Sequence, residues 1–213
     1  RSQFAVGQLD EAAQSLYSAL MAEPPSALRA DVSLTLAEVE LERQQYSRAV
    51  GILDELAGGD LGGRQAEDLI VLTGRAYRWM GFPEQGARYL KERLAVVNDP
   101  QSKARIGLEL AQCYVDLDDL RGAVGLLGEV VPRLEGSARA RRAACDLAEI
   151  CLKIGKHSQA VEIARGLVGD DCPADTRERA RQILAAAYLY LEQYSQAAEL
   201  LGPGGTGKKE GAN

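Results

Sequence analysis

Apolar residues recur along this chain at helical spacing within short segments, and the segments themselves repeat. The clearest case joins Leu184, Ala185, Tyr188 and Leu191, a polar break at Glu192-Gln193, and then Tyr194, Ala197 and Leu201, which predicts two helices separated by a turn. The small residues Ala12, Ala49, Gly86, Ala123, Ala160 and Ala197 are each 37 residues apart. Four residues after each stands Leu16, Leu53, Leu90, Leu127, Ala164 or Leu201, on the same helical face. Twelve residues before each marker, from the second unit onward, lie Ala37, Gly74, Ala111, Ala148 and Ala185, all small. Each unit therefore predicts an antiparallel helix pair, with small residues where the backbones cross and larger ones filling the space between. Gly7, Gly81 and Gly155 are expected in the turn inside a unit. Pro24-Pro25, Gly58-Gly59, Asp99-Pro100, Glu135-Gly136 and Cys172-Pro173 are expected between units. One helix pair cannot bury its apolar face alone, so the units are expected to stack into a curved rod.

The stretches LAEVELERQQYSRAV, TGRAYRWMGFPEQGARYL, LAQCYVDLDDLRGAVGLL, LAEICLKIGKHSQAVEIA and LAAAYLYLEQYSQAAELL resemble tetratricopeptide repeats. The resemblance spans residues 1–201, with 37 residues in place of the family's usual ~34. It departs from the family at Glu40 and Cys151, where the first helix usually carries an aromatic, and at Pro83, where an aromatic usually opens the second. Leu56, Arg93, Val130 and Leu167 replace a small residue late in the second helix. The resemblance implies an all-α, right-handed superhelical solenoid of antiparallel helix pairs. Its expected parts are a truncated unit at 1–24, complete units at 25–62, 63–99, 100–136, 137–172 and 173–201, and a flexible glycine-rich tail at 202–213. Residues 1–6 match only the end of a first helix, so the array is expected to begin further upstream and the chain to be a fragment.

By the same resemblance the chain is a non-catalytic interaction scaffold, in which the first helices line a concave groove for a peptide or partner segment. The position eighteen residues before the marker reads Asp31, Asp68, Arg105, Arg142 and Arg179. Three guanidinium groups repeated at about 10 Å suit acidic side chains or a carboxylate terminus. Arg75, Arg78 and the aromatic residues Trp79, Phe82 and Tyr190 complete the expected concave site, whereas Tyr77, Tyr114 and Tyr188 are expected in the core. The groove is expected to be acidic toward its start (Glu38, Glu42) and basic toward its end (Lys153, Lys156). The family's clamp for chaperone tails needs lysine and asparagine where this chain has Glu38, Arg75 and Gln112, among others, so that ligand is not supported.

Composition narrows the partner. Lys and Arg number 25 against 31 Asp and Glu, a formal charge of −6, which gives no reason to expect nucleic acid. Apolar runs such as Ile183–Leu191 are far shorter than the ~20 residues of a membrane span. Cys113, Cys145, Cys151 and Cys172 form no CxxC pair and the single histidine, His157, lies at no zinc spacing. The thiols therefore read as small hydrophobes; with no signal segment visible, they favour a reducing, cytoplasmic compartment and leave the periplasm open.

No enzyme, metal or cofactor is expected. Gly202, Gly207, Lys208 and Lys209 imitate the phosphate loop G-x-x-x-x-G-K-S/T, but Lys209 replaces the hydroxyl and a helix precedes it where a strand is needed. His157 reads as a packing residue. Two alternatives stand beside the scaffold: self-association through Phe4, Val6 and Leu9, and a substrate-recruiting role within a larger enzyme.

Overall fold

The computed structural model describes residues 3–134, 137–169 and 171–201, with residues 3–6 and 27 described by backbone alone. Among them are eleven α-helices, one 3₁₀ turn and no strand. The chain divides into two compact units, Arg1–Asp118 and Asp119–Asn213. The first holds α1 (Gln3–Met21), α2 (Ser26–Glu42), α3 (Tyr46–Ala57), α4 (Gly63–Trp79), α5 (Pro83–Val96) and α6 (Pro100–Asp116). The second holds α7 (Leu120–Val130), the 3₁₀ turn Val131–Leu134, α8 (Ala138–Lys153), α9 (His157–Arg165), α10 (Ala174–Tyr190) and α11 (Tyr194–Leu201).

Local chemistry starts and stops these helices. Asp99, Asp119 and Ser137 accept hydrogen bonds from the backbone N–H groups of Ser102, Gly122 and Ala140, capping α6, α7 and α8. Pro83 occupies the first turn of α5, where its missing N–H goes unused. At the other ends a left-handed residue recurs with the period of the sequence: Gln44, Gly81, Asp118, Gly155 and Glu192, with φ of 64°, 85°, 58°, 78° and 59°. At four of these five turns the next residue's N–H reaches back five positions, as in Gln45 to Glu40, Phe82 to Tyr77, Lys156 to Cys151 and Gln193 to Tyr188. This is the Schellman closure of a helix.

Only two of the five residues are glycine, and a side chain in the left-handed region costs about 1 kcal/mol. Gln44→Gly should therefore raise stability by about 1 kcal/mol and Gly155→Ala lower it by a similar amount, read from urea midpoints. Gly7, expected in the equivalent first turn, instead lies inside α1, which runs unbroken through it. Ala12 is correspondingly half-buried, and its neighbour Ala13 takes the buried place.

Inside each unit the crossings are made by small residues. Ala37, Gly74, Ala111, Ala148 and Ala185 are buried, as are the markers from Ala49 to Ala197. The pairing of α4 with α5 is unlike the others, because glycine stands at both crossing positions, 74 and 86. A Cβ on Gly74 would come within 2.5 Å of Leu90, and one on Gly86 within 3.1 Å of the Gly74 carbonyl and 3.2 Å of Cys113 Sγ. Leu90, fully buried, fills the space that the missing methyl leaves. Of the tyrosines expected in the core, Tyr188 is buried, while Tyr77 and Tyr114 are half-buried.

Neighbouring first helices pack side by side, α2 on α4 and α4 on α6 in the first unit and α8 on α10 in the second. The second helices α3 and α5 share no comparable packing. A row arranged in this way curves toward its first helices, so α2, α4 and α6 make the concave face of the first unit.

Candidate functional site

On the concave face of the first unit, α4 is the middle helix and its last two turns carry Arg75, Arg78 and Trp79. Arg75 donates to Glu38 on α2 at 3.1 Å and to Glu109 on α6 at 2.6 Å, so one guanidinium ties three helices together. Burial by itself would lower its pKa, but Glu109 and then Glu38 hold Arg75 above its ordinary value. Arg78 donates to Asp116 at 3.3 Å. Both guanidinium carbons lie 5.8 Å from the Trp79 ring centre, within cation–π range. Trp79 is half-buried and packs against the cluster of Leu34, Ala37, Leu41, Ala49, Leu53, Leu72 and Ala76. One side of the indole thus belongs to the core, and the two guanidinium groups lie beside the ring.

Arg105 on α6 pairs with Glu67 and Asp68 on α4. Ser102 Oγ donates to Glu67 at 2.7 Å, and Gln65 Nε2 donates to Asp31 on α2 at 2.8 Å. The structure therefore brings Arg75, Arg78, Trp79 and Arg105 onto one face, with their charged groups already engaged by carboxylates of adjacent helices. Phe82 lies beyond the end of α4, exposed at the start of α5.

The second unit holds the other three expected residues. Arg179 on α10 donates to Asp146 and Glu149 on α8, each at 2.8 Å. The hydrogen bond from Arg179, followed by that from Lys153, holds the Glu149 carboxyl below its usual range. Arg142 is the loosest of the series: its side chain is 62% exposed and Asp175 stands 3.8 Å away. Tyr190, at the end of α10, is exposed and stacks on His157 with ring centres 4.5 Å apart and planes inclined by 4°. His157 is half-buried, in the packing role expected of it.

The carboxylates Glu67, Asp68 and Glu109 were not singled out as partners from the sequence. A usable signal was there, because Glu38 and Arg75, like Asp68 and Arg105, are 37 residues apart. Residues one period apart occupy equivalent positions on neighbouring units and stand side by side when those units stack.

No family model matches the sequence, and no curated protein matches it significantly. Solved structures do match. Nearly identical TPR-like repeats of a kinesin light chain from Podosopora anserina are similar with a TM-score of 0.67 at 22% identity, covering 81% of this chain and 92% of that one. BtubC (BKLC) from P. vanneervenii is similar with a TM-score of 0.69 at 15% identity, over 92% and 86%. MamA is similar with a TM-score of 0.57 at 16% identity, over 81% and 87%. The fold is that of the TPR-like repeat proteins.

The thiols of this TPR-like chain are core. Cys113, Cys145, Cys151 and Cys172 are all buried and free. Among the described residues no group of three or more histidine, cysteine or carboxylate side chains could hold a metal ion, and no helix is long and apolar enough to cross a membrane. Burial pushes the Cys113 and Cys145 thiols up to about 11. An acid whose folded pKa lies above its unfolded value contributes stability that is complete below about pH 9 and is lost as pH climbs toward 11. The melting temperature should accordingly hold steady from pH 7 to 8.5 and then fall. The fall should be shallower in Cys113→Ala relative to that variant's own value at pH 7. Phe4 and Val6 lie outside the described side chains, and the phosphate-loop imitation in the tail lies outside the described residues.

Proposed function

We propose that this chain is a protein-binding scaffold whose first-helix face receives a segment of another protein. The observation that carries the reading is Trp79, the sole tryptophan, half-buried on the concave face beside two guanidinium groups that carboxylates on α6 and α2 hold in place. An aromatic side chain fixed in this way offers contact area with little entropy left to lose on binding. Similarity to TPR-like structures supports a role in protein interaction.

Selecting dodecapeptides from a random display library against the full chain tests this. The selected peptides should lose about tenfold or more in affinity to Trp79→Ala, roughly 1.4 kcal/mol. They should bind unchanged to Asp54→Asn/Glu55→Gln, which alters exposed positions on α3. Binding indifferent to Trp79 and to the charged residues around it would place the interaction elsewhere.

Self-association is a second reading, and apolar side chains exposed on α11 favour it. Leu201 is 66% exposed, whereas its counterparts Leu53, Leu90 and Leu127 are buried. Tyr194 is likewise exposed, whereas its counterpart Tyr46 packs against the core. Light scattering over a concentration series should show a rising mass that Leu201→Glu abolishes. A monomer at every concentration removes this reading.

A further inference from the structure

The charge balance of the concave face in the first unit says which kind of segment suits it. The six carboxylates described there, Asp31, Glu38, Glu67, Asp68, Glu109 and Asp116, are joined by Glu42, one helical turn beyond Glu38 on α2. Against them stand Arg75, Arg78 and Arg105, with Arg64 as an outlier, 89% exposed and 3.9 Å from Asp68. The face therefore carries three more negative charges than positive ones. The surplus is not local chance, since the first unit, with 18 Asp and Glu against 12 Lys and Arg, accounts for the whole formal charge of −6.

Donor and acceptor capacity point the same way. Arg75 and Arg105 each engage two carboxylates and Arg78 engages one, and the donors they leave over, Arg78 Nε and Arg105 Nε, are buried out of an incoming anion's reach. Glu38 and Asp116 stay partly exposed, at 56% and 39%, each sharing or holding only one guanidinium. The indole beside them has a π face, which attracts cations and not anions. The arginines on this face thus organise an acidic surface. They do not constitute a basic one.

Building on the scaffold reading, we infer that the first unit docks a lysine- and arginine-rich segment of its protein partner along α2, α4 and α6. Charge complementarity of this kind fixes partner choice and speeds encounter more than it adds raw affinity, and it weakens as salt shortens the screening length.

The test uses two synthetic dodecapeptides, one alternating Lys with Ala and the other alternating Glu with Ala. Each is titrated into the full chain at low ionic strength while the emission of Trp79 is followed. The lysine peptide should shift that emission and bind at least about tenfold more tightly than the glutamate peptide. Its affinity should fall about threefold or more in Glu38→Gln/Asp116→Asn and stay unchanged in Asp54→Asn/Glu55→Gln, which removes the same two charges from α3. Circular dichroism confirms that both variants fold.

Tighter binding of the glutamate peptide overturns the inference and leaves the groove reading intact. Equal weakening by the two double variants overturns it as well, because attraction to the net charge would then suffice. Binding of neither peptide overturns it outright. The groove reading itself stands or falls separately, on whether the selected peptides depend on Trp79.

Discussion

Arg43→Met is expected to lower the stability of the first unit by about 4 kcal/mol, a large effect for a position so near the surface. The reason lies in Glu40, the residue that replaces the usual aromatic on the first helix. Its carboxylate is fully buried, and Arg43 NH1 holds both of its oxygens at 2.9 Å. Tyr17 on α1 donates to the same carboxylate at 3.0 Å, and Arg43 reaches onward to Asp10 of α1 at 2.7 Å. Taking the guanidinium away leaves a buried charge with one phenol for company and releases α1 from α2. Burial, with the hydrogen bond to Glu40 next, already pushes the Tyr17 phenol up. Glu40→Leu together with Arg43→Met should be clearly milder than Arg43→Met alone, since no charge is then stranded. Trp79, the single tryptophan and a residue of this same unit, reports the transition in urea. A double variant as damaged as the single one would mean that the buried charge is not what matters.

The second large effect concerns Leu90. Leu90→Ala should cost about 3 kcal/mol, within the ~2–5 usual for truncating a fully buried leucine. Gly74→Ala should cost about 2 kcal/mol for the opposite reason, because its new methyl would lie 2.5 Å from Leu90 in a packed interior. The two changes should not add. A methyl on residue 74 enters the space vacated by the leucine, so the double variant should be more stable than the sum of the single losses by 1 kcal/mol or more, roughly the coupling that packed neighbours show. Strict additivity would show that the two side chains do not compete for one space.

How much of this could be read from the sequence follows from what periodicity encodes. A constant interval of 37 residues marks positions equivalent by stacking, so Ala49, Gly86, Ala123, Ala160 and Ala197 could be placed at buried crossings without knowing any contact. Periodicity does not say where one local rule ceases to hold. Gly7 has the spacing of Gly81, yet a glycine also fits inside a helix, and α1 runs through it. Gln44, Asp118 and Glu192 occupy left-handed turns that residue type alone would have assigned to glycine.

The arginines show a different limit. Arg105, Arg142 and Arg179 looked like an open ladder because residue type reveals charge and not what that charge already touches. Their partners, Asp68 for Arg105, Asp175 for Arg142 and Asp146 with Glu149 for Arg179, come from the adjacent helix pair. Only the separation of 37 residues between Asp68 and Arg105, which stacking turns into contact, hinted at this.

Recurring left-handed turns suggest modules that could be exchanged by recombination, for the backbone leaves the first helices in a closely similar manner. The crossing of α4 with α5 forbids free exchange. Splicing α2 directly onto α5 would bring the methyl of Ala37 against Leu90, where Gly74 leaves room for the leucine. A gene shuffling its repeats would have to move residues 74 and 90 as a linked pair, so the array is periodic in its joints but individual in its interiors.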